Sequence, residues 1–279
     1  MRRIALLLSL PLLLPAQMFI MPRCAAPSDR ALRLYESGFR HHEKRRLEDA
    51  SLAYTEALRL APPLEPNAEQ AKRIRKFAPR LFTTASEPFP LIDFAAVQHP
   101  AAPWIAYHLF WEDDIDFPDD NDPCDHEVVW VKTDASGNRL EAYVTYFHRQ
   151  LVPASQRAID DANRHGGRPV ILVQWGKHGS MPLDWEKMKT ANAADFERLS
   201  TKGRYLQESP LGRRWPLRFA GSLEEFLHFP MPKDPVPLLE RNRMEIVSYF
   251  NNAVINRHFL RYNFAAKTDW PSAVCAETK

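Results

Sequence analysis

The stretch that decides the fold is WIAYHLFWEDDIDFPDDNDPCDHEVVW, Trp104 to Trp130. Two apolar, strand-like runs flank a loop that carries Glu112, Asp113, Asp114, Asp116, Asp119, Asp120 and Asp122, then Asp125 and Glu127. No short stretch elsewhere in the chain is as acidic. Carboxylates crowded on one loop repel each other, and a bound divalent cation is the direct way to offset that. His108 and His126 stand at the two ends of the stretch and, with Asp120, are candidate ligand-binding residues.

Further strands follow from composition. EVVWVKT (127–133), LEAYVTYFH (140–148) and PVILVQW (169–175) are rich in β-branched and aromatic residues. Asp134 to Asn138 reads as a hairpin turn between the first two of these. Prolines at 88, 90, 100 and 103 break helical periodicity before the first strand. Residues 153–166 and 187–200 read as helical or irregular excursions. Ser222 with Glu225 forms a capping box for a helix over Leu223–Phe229, and the amphipathic run from Leu238 to Phe259 predicts another helix.

Upstream, residues 28 to 80 are helical in pattern. Ser28 and Asp29 precede ALRLYESGF as N-caps, and LEDASLAYTEALRLA forms a second helix ending before Pro62. Leu34, Gly38, Ala50, Tyr54, Ala57 and Pro62 fall at the spacing of one tetratricopeptide repeat, which the hairpin resembles. Two readings follow: a protein-partner surface, or a hairpin packed on the main domain, since a single repeat has almost no concave surface. A third helix, EPNAEQAKRIRKFA, carries a basic face over Lys72, Arg73, Arg75 and Lys76.

The first 26 residues read as a signal peptide. Arg2 and Arg3 precede an apolar run from Ile4 to Leu14, and small residues follow at Ala25 and Ala26. The alternative is a membrane anchor over residues 4–21, which Pro11 and Pro15 interrupt. Removal of this segment takes three arginines with it and moves the formal charge from +2 to −1. Neither value indicates a nucleic-acid partner. Gly is scarce at 9 residues, and there is no G-x-G-x-x-G or Walker-type lysine loop to cradle phosphate. A secreted or periplasmic chain without Cys24 retains Cys124 and Cys275, which either form a disulfide or remain free thiols.

The predicted organisation is α+β: residues 27–80 form a helical tetratricopeptide-like hairpin. Residues 81–279 form a mostly antiparallel β-sandwich-like domain with C-terminal helices. Strand alternation puts Glu127, Val129 and Val131 on one face. His178 follows the PVILVQW strand between Gly176 and Gly179. If those strands neighbour each other, Asp122, Asp125, Glu127 and His178 converge as metal ligands; otherwise His178 is a hydrogen-bonded loop histidine and the aspartates are solvated turn formers. Carboxylates with one imidazole suit Ca²⁺, Mg²⁺, Mn²⁺ or Zn²⁺. Covalent catalysis finds little support: Ser180 has no nucleophile-elbow context, and Cys124 lacks a partner that the spacing fixes.

Asp125-x-Glu127 before a valine-rich strand, with a later strand ending in His178-Gly179, resembles the necrosis-inducing protein family and the related vacuolar protein sorting-associated family. The resemblance covers residues 104–185. It implies a β-sandwich and a divalent-metal site that engages a glycan or lipid head group. Asp125, Glu127 and His178 stand at the Asp, Glu and later His of the hallmark. His126 replaces its Trp, Asp122 falls at its first His, and Cys124 replaces the second His or the Gly. A metal-dependent hydrolase is the alternative function, and a protein-interaction module working through the hairpin is a second alternative.

Overall fold

The computed structural model describes residues 28–113, 124–147, 149–184, 228–262 and 264–271. The fold is α+β. Three helices lead: α1 (Asp29–Glu43), α2 (Leu47–Leu60) and α3 (Ala68–Lys76). The Ser28 hydroxyl accepts the Ala31 N–H at 3.1 Å and caps α1, while Asn67 and Gln70 close a reciprocal capping box on α3. Helices α1 and α2 approach so closely that a Cβ on Gly38 would lie 2.5 Å from Cδ1 of Tyr54. This is the small-residue contact expected from the repeat-like spacing.

The larger sheet follows the order β10-β2-β3-β4-β5-β6. Its strands are β2 (Leu91–Gln98), β3 (Trp104–Trp111), β4 (Asp125–Thr133), β5 (Leu140–Phe147), β6 (Gln150–Pro153) and β10 (Glu245–Val247). The smaller sheet has the order β8-β7-β1-β9, from β1 (Arg80–Thr83), β7 (Val170–Val173), β8 (Ser180–Pro182) and β9 (Met231–Lys233). Pairing is antiparallel except for β1 with β7 and β10 with β2. Helix α4 (Gln156–Arg164) lies between β6 and β7.

Every residue of β3 is buried, because both faces of the larger sheet are covered. One face carries His108 and His126 and packs on α6 (Asn251–Phe259), where Asn251 bonds His108. The other carries Tyr107, Trp111, Asp125 and Glu127. Tyr107 donates to the Ile74 carbonyl of α3 at 2.7 Å, and the smaller sheet packs over β4, β5 and β6 through β8.

One expectation changes. The run from Leu238 to Phe259 is not one helix: α5 (Val236–Asn242) stops at Arg243, which sits at φ 50°, and Glu245–Val247 peel off to pair with β2. Tertiary pairing overrides the amphipathic pattern there. The hairpin packs on the β domain, as one of its two sequence readings has it. The Tyr35 ring stacks on Phe250 at 4.6 Å and 9°, and one continuous core runs from α1 to Trp270. Helix α6 packs against both α1 and α2. The expected excursion over 187–200 and the capping box at Ser222 lie outside the described residues, as do residues 1–26.

Candidate functional site

The antiparallel register of β3 and β4 pairs Trp111 with Asp125 and Leu109 with Glu127. Both carboxylates therefore share one face at the start of β4, as strand alternation requires. His178 reaches the same place from the loop between β7 and β8. It is fully buried at φ 52°, a left-handed conformation that a histidine holds only when its surroundings fix it. They do so here: its N–H donates to the Gln174 carbonyl at 2.9 Å, and the ring bonds carboxylates on both sides. Nδ1 lies 3.0 Å from Oδ2 of Asp125 and Nε2 lies 3.1 Å from Oε1 of Glu87. Trp111 stacks flat on the imidazole at 4.3 Å and 4°.

Burial alone would push His178 down, but the Asp125 and Glu87 carboxylates outweigh it and hold its pKa at about 9. At neutral pH the ring is an imidazolium that donates from both nitrogens. Glu87 is itself fixed by the N–H groups of Gly176 at 3.0 Å and Phe89 at 3.2 Å. The sequence offers no sign of this residue, because it lies in a proline-broken loop with no periodicity.

A second pair lies beside this one. The β4–β5 ladder runs no further than Val129 opposite Thr145 among the described residues. Beyond it β4 stays with β3 as far as Asp125, and β5 stays with β6 as far as Phe147. The strands part, and Lys267 enters the split from the helix-covered side. Its ammonium lies 3.5 Å from Oε1 of Glu127 and 4.2 Å from the centre of the Tyr146 ring. Burial raises the Glu127 pKa to about 8 against the opposing pull of Lys267. Burial would lower Lys267, yet Glu127 and Asp125 keep it above its usual value. Oε2 of Glu127 is buried and makes no hydrogen bond among the described residues.

The other expected site residues divide. His108 and His126 point to the opposite face from Asp125 and Glu127, because neighbours along a strand alternate. His126 Nε2 and His108 Nδ1 are 2.9 Å apart, and His108 continues to Asn251. Both are buried, and desolvation lowers both, His108 to about 3. Both lie in the core, on the face covered by α6. Among the described residues Cys124 is a free, buried cysteine whose Sγ contacts the Asp125 carbonyl at 3.3 Å. Cys275, Asp120 and Asp122 lie outside the described residues.

The donor set fits a divalent cation in part. Asp125 and Glu127 offer hard oxygen atoms on one face. Both ring nitrogens of His178, the remaining expected ligand among the described residues, face carboxylates in this arrangement. Among the described residues no group of three or more His, Cys, Asp and Glu side chains is arranged to hold a metal ion. No protein-family model, curated protein or solved structure matches this chain.

Proposed function

We propose that the rim at the β4–β5 split recognises an extracytoplasmic ligand, a glycan or lipid head group, through a divalent cation held by Asp125 and Glu127. The observation that carries this reading is the Glu127 carboxylate, 4% exposed with one oxygen unpartnered among the described residues, beside Asp125 at the foot of the acidic loop. A buried oxygen without a partner is costly unless something comes to occupy it. Asp122, the further ligand expected from the sequence, lies outside the described residues. When bound, a divalent cation would link these carboxylates to hydroxyl or phosphate oxygens of the ligand. His178 keeps Asp125 in place through its Nδ1–H, and Trp111 fixes the plane of its ring.

Export of the chain belongs to the same proposal. Among the described residues no helix is long and apolar enough to cross a membrane, and residues 4–21 lie outside them. N-terminal sequencing from the native host decides between a cleaved signal and a retained anchor.

Calorimetric titration of Ca²⁺, Mg²⁺, Mn²⁺ and Zn²⁺ into the purified chain tests the cation site. Saturation at ~100 times the dissociation constant would stabilise the fold by about 2.7 kcal/mol. Asp125→Asn should remove that effect, and binding to glycan arrays or anionic vesicles should be lost in EDTA. No metal binding to the wild type at millimolar concentration refutes the reading.

A metal-dependent hydrolase is the second reading. Glu127 favours it, because a carboxyl held at about 8 exchanges its proton near neutral pH. Turnover of model phosphate or acetyl esters that disappears in Glu127→Gln would select it.

A further inference from the structure

Lys267 belongs to a strap, residues 264–271, that is pinned on both sides of it. The Phe264 carbonyl bonds Nε2 of His42 at 3.0 Å, and its ring packs against Phe110 at 5.3 Å. Further along, Asp269 accepts the Asn252 N–H at 2.8 Å and its carbonyl accepts Nε1 of Trp130 at 3.0 Å. Trp270 donates to the Tyr249 carbonyl at 2.8 Å. With its backbone held, Lys267 can change only through its four-carbon stem.

The ammonium it delivers stands at the mouth of the split, close to the oxygen atoms that a cation would use. It does not saturate them. The contact with Oε1 of Glu127 is long at 3.5 Å, and Oε2 has no hydrogen-bond partner among the described residues. The face of Tyr146 supplies the remaining attraction. An ammonium and a divalent cation cannot share one buried carboxylate, since the repulsion between them is strong at low dielectric.

We propose that Lys267 is a tethered cation that fills the cation position of the split and must swing out before a divalent cation gains Glu127. This inference rests on the cation-site reading above. It makes Lys267 and Tyr146 the residues that set cation affinity: the side chain guards the carboxylate when metal is scarce and yields when metal is abundant. A doubly charged ion can displace it because it draws on Asp125 and Glu127 together, whereas among the described carboxylates the ammonium hydrogen-bonds only Glu127.

The test is calorimetric titration of MnCl₂ into the full chain as wild type, Lys267→Met, Lys267→Arg and Tyr146→Leu, each checked for native near-UV circular dichroism. Lys267→Met should bind Mn²⁺ at least tenfold more tightly than wild type, and Tyr146→Leu a few-fold more tightly. Lys267→Arg, which keeps a cation in place, should not gain. Acylation of the Lys267 amine by a succinimidyl ester, read by mass spectrometry, should be slow without metal and accelerate when Mn²⁺ saturates the wild type. Equal Mn²⁺ affinity in wild type, Lys267→Met and Tyr146→Leu overturns the tether and leaves the cation site standing. Absence of Mn²⁺ binding in every variant overturns both. If Lys267→Met fails to fold, Tyr146→Leu and the acylation rate decide alone, and no change in either overturns the proposal.

Discussion

The charge on His178 has a direct consequence for stability against pH. Its pKa rises from 6.5 to about 9 on folding, and the ring is fully buried between Asp125 and Glu87. A group whose folded pKa is raised stabilises fully below its unfolded pKa, and that stability is lost as pH climbs to the folded value. The window is therefore pH 6.5 to about 9, and the size is about 3 kcal/mol at about 1.4 kcal/mol per pH unit. Glu127 and Asp269, raised by burial to about 8 and about 7, slope the same way over the lower part of that window. The His178 contribution is isolated by difference. Urea unfolding of the wild type and His178→Gln at half-unit steps from pH 6 to 9.5 is the assay. At a slope of about 2–3 kcal/mol/M, the wild-type midpoint should fall by about 1 M more than that of the variant. The variant should also be less stable at pH 6.5, because Asp125 and Glu87 are left close together without the cation that bridges them. Parallel curves for the two proteins across pH 6.5 to 9 refute the imidazolium assignment.

The acid side should slope the opposite way. Desolvation lowers His42 and His99 to about 4 and His108 to about 3, so stability present above pH 6.5 is lost as pH falls toward those values. His108→Asn should flatten that limb, and an unchanged acid midpoint argues against it. Gly38→Ala would drive a methyl into the Tyr54 ring and should cost about 1–3 kcal/mol in thermal or urea unfolding. A neutral effect there means that α1 and α2 do not approach as described. Cys124, buried and with its thiol pushed above its usual range, should react with a thiol reagent only after unfolding. Rapid labelling of the native chain at this residue counts against the burial.

Much of the scaffold was legible because strands declare themselves locally. WIAYHLFW became β3 residue for residue, and period-two alternation put Glu127, Val129 and Val131 on one face without any knowledge of their neighbours. The hairpin was readable for the same reason: caps, apolar spacing and the Gly38–Tyr54 contact are all local. Alternation also separates His126 from the two carboxylates, so its place in the core was within reach of the sequence. The partners that give the site its charge were not. Glu87 and Lys267 lie 91 and 140 residues from the groups they meet, and only the folding of distant loops into contact selects them. The state of His178 was equally hidden. A histidine beside carboxylates reads as a ligand or as a hydrogen-bonded cation from the same letters. The choice depends on which atoms its two nitrogens face, and that is fixed by the left-handed turn at His178 and the Trp111 ring above it. The break at Arg243 has the same origin: an amphipathic run continues as helix unless a neighbouring strand offers its residues a better pairing, as β2 does here. Local periodicity determined the elements and their faces. Long-range packing and electrostatics, which carry no sequence period, decided what those faces meet.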